Sequence, residues 1–192
     1  MSRGVQIGLK DVHYALLTTD DVETGVTYEE PAPIIGAITA NINPNASMET
    51  LFADDGPMET AASLGQIELE LNVADLPLSV QAALLGHEAP TVGEIMRKAG
   101  DVPPWLALGF RSLKSNGKYR YVWLLKGKFM VPEQSHETKG DTITFQTPTI
   151  NGSFVKRDFD DAYQLLGDED ETDFAATDWF KATKIAATPT VP

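Results

Sequence analysis

The sequence predicts a mainly β protein (β+α): an antiparallel, sandwich- or barrel-like fold with one flanking α-helix, long loops and extended terminal arms. Three stretches carry that expectation. In residues 103–131, two runs rich in aromatic and aliphatic residues flank Asn116-Gly117, and Asn-Gly is the strongest short-range hairpin signal. Residues 66–73 read QIELELNV, a strict alternation that marks a strand with one buried face. Residues 75–86, DLPLSVQAALLG, make the best helix: Asp75 can cap it, Pro77 fits the first turn, and Gly86 can close it with positive φ.

In chain order, residues 1–10 read as an arm and 13–19 as a first strand. Residues 20–33 are acidic and broken by Gly25, Pro31 and Pro33, which suits a loop or an extended arm. Residues 34–43 alternate weakly and end at Asn43-Pro44-Asn45. A short strand over 48–53 runs into Asp54-Asp55-Gly56-Pro57, a turn, and 57–65 are expected as an exposed loop. In 66–73, Ile67, Leu69, Leu71 and Val73 point inward, while Gln66, Glu68, Glu70 and Asn72 point outward. Residues 91–100 stay open. Thr91 and Glu94 have capping-box spacing, yet Val92, Ile95 and Met96 could serve a strand.

A two-residue type I′ turn at Asn116-Gly117 would set Phe110 opposite Trp123, Leu108 opposite Leu125 and Ser112 opposite Tyr121. Residues 132–140 follow as a polar loop. Residues 141–150 form a strand with Ile143 and Phe145 inward, Thr144 and Gln146 outward, and Pro148 at an edge or bulge. Residues 152–156 can extend the sheet. A second acidic stretch, 158–173, is read as a solvated face. Residues 174–183 carry Trp179-Phe180 and a terminal helix, and 186–192 form a tail. The whole, 1–192, is read as one domain with arms at 1–10 and from about 184. The predicted core is Leu108, Phe110, Trp123, Leu125, Ile67, Leu69, Leu71, Leu84 and Phe145.

The 192 residues carry a formal net charge of −13 and no cysteine. Such a surface repels phosphates and offers no basic footprint. Disulfides, thiol catalysis and cysteine metal sites are excluded. No apolar run approaches a membrane span, and the first residues lack the apolar stretch of a secretory signal. His13, His87 and His136 are scattered, without metal-ligand spacing. The acidic clusters lack the glycine and glutamate positions of an EF-hand loop. No Gly-x-Ser-x-Gly elbow, Walker loop or dinucleotide fingerprint occurs. Neither catalysis nor a cofactor is expected. The run Lys118-Tyr119-Arg120-Tyr121 resembles a nucleic-acid platform locally, but in an acidic chain it reads better as hairpin pairs.

Several phrases resemble a known family in their order. They are Gly8-Leu9-Lys10-Asp11 with His13-Tyr14-Ala15; Ala53-Asp54-Asp55-Gly56; Val73-Ala74-Asp75-Leu76-Pro77 with Leu84-Leu85-Gly86; Pro103-Pro104 with Ala107-Leu108-Gly109-Phe110; and Tyr121-Val122-Trp123 with Lys126-Gly127-Lys128-Phe129. Gln146-Thr147-Pro148 and Trp179-Phe180 follow. The series is similar to the major tail protein, or tail tube protein, of long non-contractile phage tails. That family is related in plan to the tubes of contractile tails and type VI secretion.

The resemblance implies a structural virion protein, assembled in the bacterial host cytoplasm, whose hexameric rings stack into a tube. Tape-measure, tail-terminator and distal tail proteins are the implied partners. Double-stranded DNA would pass through the lumen without specific binding. Four strands from each of six copies, at about 4.8 Å per strand, give a ring roughly 37 Å across, wide enough for a duplex. The lumen is expected to be lined by Glu68 and Glu70, with Gln66, Thr144 and Gln146. Contacts between copies or rings are expected from Asp54, Asp55, Gly56, Pro57, Met58, Glu59 and Tyr28. No appended immunoglobulin-like domain is expected after Trp179-Phe180. Two other classes stay open: another tail or secretion-tube component, such as a tail-completion ring, and a β-barrel enzyme or ligand-binding domain.

Overall fold

The computed structural model describes residues 4–53, 56–134, 136–138 and 145–186. It is mainly β, a curled antiparallel sheet with two short helices. The strands are β1 (Gln6–Asp21), β2 (Gly25–Tyr28), β3 (Ala32–Ile34), β4 (Ala37–Ala53), β5 (Gly56–Val73), β6 (Leu106–Lys114), β7 (Tyr119–Phe129), β8 (Thr149–Val155) and β9 (Gln164–Asp168). Helix α1 (Leu78–Leu85) follows β5, and α2 (Ala182–Ala186) follows β9. The sheet order is β2-β1-β6-β7-β8-β5-β4, with β3 also paired to β1 and β9 to β7.

Two apolar clusters lie on opposite sides of the central hairpin. Inside the curl, Ile67, Leu69 and Leu71 of β5 meet Leu106, Leu108 and Phe110 of β6, Val122 and Leu124 of β7, and Leu84 and Leu85 of α1. On the outside, Tyr121, Trp123 and Leu125 of β7 pack with Ala107, Tyr28, Trp179 and Ile185. The alternation of residues 66–73 is realised as expected: Ile67, Leu69, Leu71 and Val73 are buried, while Gln66, Glu68 and Glu70 are exposed.

The hairpin at Asn116-Gly117 exists, but its register is one residue away from expectation. Only Gly117 has positive φ (83°), whereas a type I′ turn needs it at both central positions. The Lys114 amide donates to the Lys118 carbonyl at 2.8 Å, and the Gly117 amide to the Lys114 carbonyl at 3.0 Å. This is a three-residue loop ending in a left-handed glycine. Phe110 therefore faces Val122, Leu108 faces Leu124, Ser112 faces Arg120, and Trp123 faces Gly109. The one-residue slip moves every β7 side chain to the other face. Leu108 and Phe110 stay in the inner core, while Trp123 and Leu125 belong to the outer one.

Other expectations are corrected. Residues 6–10, read as part of an arm, pair with β6. Residues 20–33 include β2 and β3 rather than a loop alone. Pro44 does not end a strand: β4 passes through it, with a register shift between Pro44 and Ala46. Residues 57–65 are strand, not loop. Residues 91–100 form neither element but a tight turn, in which the Thr91 and Glu94 backbones bond reciprocally at 3.1 Å. Helix α1 is shorter than expected, starting after Pro77. The Asp75 carboxylate accepts from the Leu76 amide instead of capping the helix, while Gly86 does close it with φ 72°. Of 174–183, only the last two residues enter α2. Phe145, expected in the core, is 87% exposed, and β8 begins only at Thr149. Tyr28, expected at a contact with another copy, is buried, its hydroxyl donating to the Leu125 carbonyl at 2.9 Å.

Candidate functional site

The outer faces of β4, β5 and β8 form a polar groove. Register places Asn43 beside Glu68 and Asn41 beside Glu70 on β4–β5. It then places Glu68 beside Ser153 and Glu70 beside Asn151 on β5–β8. Asn45 Nδ2 donates to Glu68 Oε1 at 3.2 Å, and the Ser153 hydroxyl to Gln66 Oε1 at 3.2 Å. The Gln66 amide also reaches Glu68 Oε1, at 3.5 Å, so Glu68 is held by two amides, and Glu70 stands beside it on the same exposed face. Gln146 lies off this sheet, in the segment before β8, but lines an adjoining cleft of about 690 Å³ with Glu70, Asp75, His136 and Asn151. Thr144 lies outside the described residues, as do Asp54 and Asp55.

The second feature is the outer half of the β4–β5 hairpin, which projects past the rest of the sheet. Beyond Ile67, which faces Phe154, β5 pairs only with β4. Register joins Ala46 with Leu64, Met48 with Ala62 and Thr50 with Thr60, then Phe52 with Pro57 past a bulge at Met58. The Thr50 and Thr60 hydroxyls meet at 3.3 Å on that face. The opposite face pairs Ser47 with Ser63, hydroxyls 2.7 Å apart, Glu49 with Ala61, and Leu51 with Glu59. The arm is thus amphipathic. Its apolar face continues the alternation that turns Ala40 and Ile42 of β4 into the inner core. Yet Met48 is 72% exposed, and Phe52, Met58 and Leu64 are exposed too. The sequence carried this signal in the spacing of Ala46, Met48, Thr50 and Phe52. The Asn-Pro-Asn and Gly-Pro breakers masked it.

The third feature is ionic. The acidic stretch 158–173 does not face solvent alone; it clamps the C-terminal segment to the sheet. Lys114, 2% exposed, holds Asp168 and Asp170. Arg120 also donates to Asp168, at 2.7 Å. Lys126 joins Asp20 (2.6 Å) and Asp158 (2.7 Å). Arg157 joins Asp160 (2.5 Å) and the Ile185 carbonyl (2.7 Å). Burial alone would raise the Asp168 carboxyl's pKa. The bonds from Lys114, the Asp170 amide and Arg120 outweigh it and hold that carboxyl well below the usual range. Burial pushes the Tyr28 phenol up to about 12, against the opposing pull of Arg157. Lys114 was not legible as a partner because its acids lie 54 and 56 residues away; Arg157 and Asp160 are only three residues apart, a local pairing that the reading of 158–173 as a solvated face passed over.

Among the described residues, no group of three or more His, Asp or Glu side chains is placed to hold a metal, and no helix is long and apolar enough to cross a membrane. No protein-family model matches this chain, and no curated protein matches it.

Proposed function

We propose that this chain is a structural subunit of a phage tail tube, forming stacked hexameric rings whose acidic lumen conducts double-stranded DNA. One observation carries the reading: an arm of paired strands prolongs the core-facing side of the sheet beyond the molecule, and its apolar face is left exposed. A monomer would gain by covering that face, since an extended apolar ribbon with an open edge invites pairing. Another copy of the chain is the partner always present. The resemblance of ordered phrases along the chain names the assembly.

The polar groove supports the conduit. Glu68 and Glu70 stand on the exposed side of β5, flanked by neutral amides. A wall of this kind repels phosphate and releases no counterions by binding it. Duplex DNA would then slide past it. The open edge of β4, last in the sheet order, is available for joining sheets between copies.

Negative-stain microscopy of the purified protein at high concentration tests the proposal. Rings that stack into tubes of uniform bore are expected. Closed rings that never stack would favour a tail-completion role. A protein that stays monomeric at every concentration would overturn the reading. A map of the tube placing Glu68 on its outside would overturn the lumen assignment.

A further inference from the structure

The chain holds two Asn-Gly pairs, Asn116-Gly117 in the β6–β7 loop and Asn151-Gly152 in β8. Both asparagines are exposed, so water reaches each alike. The pair is chemically labile wherever the chain can bend, because glycine has no side chain to keep its amide nitrogen from the preceding carboxamide. Local geometry decides whether it can. Asn151 is held straight. It faces Glu70 on β5, and Gly152 faces Leu69 on β5 and Phe129 on β7. The Asn151 carbonyl also accepts from the Met130 amide at 2.8 Å. A strand paired on both sides releases its backbone only when the sheet itself comes apart.

Asn116 sits in a loop and is tied by fewer bonds. The Gly117 amide donates to the Lys114 carbonyl at 3.0 Å. The Asn116 carboxamide donates from Nδ2 to Asp170 Oδ1 at 2.9 Å and accepts at Oδ1 from the Lys118 amide at 3.2 Å. Asp170 is the anchor: its Oδ2 accepts from Lys114 Nζ at 2.7 Å, and Lys118 Nζ lies 3.3 Å from its Oδ1. Asn116 thus belongs to the clamp that ties Asp168 and Asp170 to the hairpin. While that clamp is shut, the nitrogen that would attack and the carboxamide that would receive it are both engaged.

We infer that Asn116 is a deamidation site gated by this clamp, and that Asn151 is protected. When Asp170 withdraws, the carboxamide turns free. The Gly117 nitrogen gives its proton to solvent hydroxide and attacks Asn116 Cγ. A C–N bond forms there, and the side-chain nitrogen takes a proton from water and leaves as ammonia. Water then opens the cyclic imide to aspartate or isoaspartate. Water enters and ammonia departs, with no change of oxidation state. The product has no N–H for Asp170, and it sets a third carboxylate beside Asp168 and Asp170 around Lys114. Like charges so placed repel, so each event loosens the clamp for good. The C-terminal segment, with Trp179 in the outer core, is then held less firmly. The device works in a single copy and needs no assembly.

In the test, the purified protein is held at mildly alkaline pH, and the peptides carrying Asn116 and Asn151 are followed by mass spectrometry. Slow conversion at Asn116 is expected, with Asn151 intact over the same period. Asp170→Ala should speed conversion at Asn116 about tenfold, through a larger open fraction, and leave Asn151 unchanged. Equal rates at the two sites, or no effect of Asp170→Ala on Asn116, would overturn the inference. So would acceleration of both sites together, which would make unfolding of the whole sheet the gate. Asn116→Asp tests the consequence without waiting for the reaction. Backbone amides of residues 168–179 should then exchange hydrogen about tenfold faster than in the parent, while those of β5 keep their rates. Unaltered exchange at 168–179 would sever the modification from the clamp.

Discussion

Gly109 stands directly opposite Trp123 across the β6–β7 ladder, and a Cβ on it would lie 2.3 Å from the indole ring. The indole lies over the strand where any other residue would project. Its nitrogen donates to the Trp179 carbonyl at 3.0 Å, and its ring packs near Phe180. The close approach is therefore what seats the C-terminal segment on the outer core.

Gly109→Ala should destabilise the fold by about 1–3 kcal/mol through overpacking. Denaturant unfolding followed by tryptophan fluorescence would measure it. A neutral result would mean that the indole can tilt away without losing its bond to Trp179.

The Lys114 clamp makes a pH prediction. Asp168 has its pKa depressed in the fold, so the stability it contributes is complete above the unfolded value of about 4 and is lost as pH falls toward the folded value. For Lys114, burial acts to lower the pKa, but the bonds to Asp168 and Asp170 raise it. Its contribution is complete below about pH 10 and is lost as pH rises through the folded value. The clamp should thus be constant between about pH 4 and 10. Lys114→Ala should cost about 3 kcal/mol near neutrality, because it leaves two acids without their buried cation. The variant's loss should shrink below about pH 4. Melting temperatures across that range would check the shape.

Tyr28 supplies a spectroscopic handle. Its phenol is pushed up to about 12, and burial also raises those of Tyr14 and Tyr121, so alkaline titration at 295 nm should show a late step to which Tyr28 contributes. Tyr28→Phe should reduce that step by one tyrosine. It should also cost about 1 kcal/mol from the lost bond to the Leu125 carbonyl.

Replacing Met48 and Phe52 together by serine should leave the melting of the isolated chain within about 0.5 kcal/mol, since both side chains are exposed. Assembly should nevertheless fail at concentrations where the parent forms tubes. Sedimentation and microscopy on the same samples separate the two effects. Normal tubes would remove the arm from the assembly.

Gly117→Ala should cost about 1 kcal/mol, because alanine at φ 83° is strained. Asn116, which lacks positive φ, should tolerate residues that a type I′ turn would reject. Equilibrium unfolding of both variants distinguishes the three-residue loop from a two-residue one.

The sequence alone settled what depends on local pattern. The strict alternation of residues 66–73 could belong only to a strand with one wet face, and it set Ile67, Leu69 and Leu71 inside and Glu68 and Glu70 outside. Gly86 after an apolar run marked the end of α1, and Asn116-Gly117 marked a hairpin. Tertiary structure decided register and partners. Residues 121–125 read YVWLL and are buried on both faces, so no apolar count separates one register from its neighbour. The loop geometry at Gly117 made that choice and sent Trp123 to the outer core. Phe145 looked internal because its neighbours alternate, but β8 starts after it. Asp168 and Asp170 looked solvated because their cations come from distant strands. Alternation reports the period of a segment; only the packed chain reports which face its neighbours take and which charges it must neutralise.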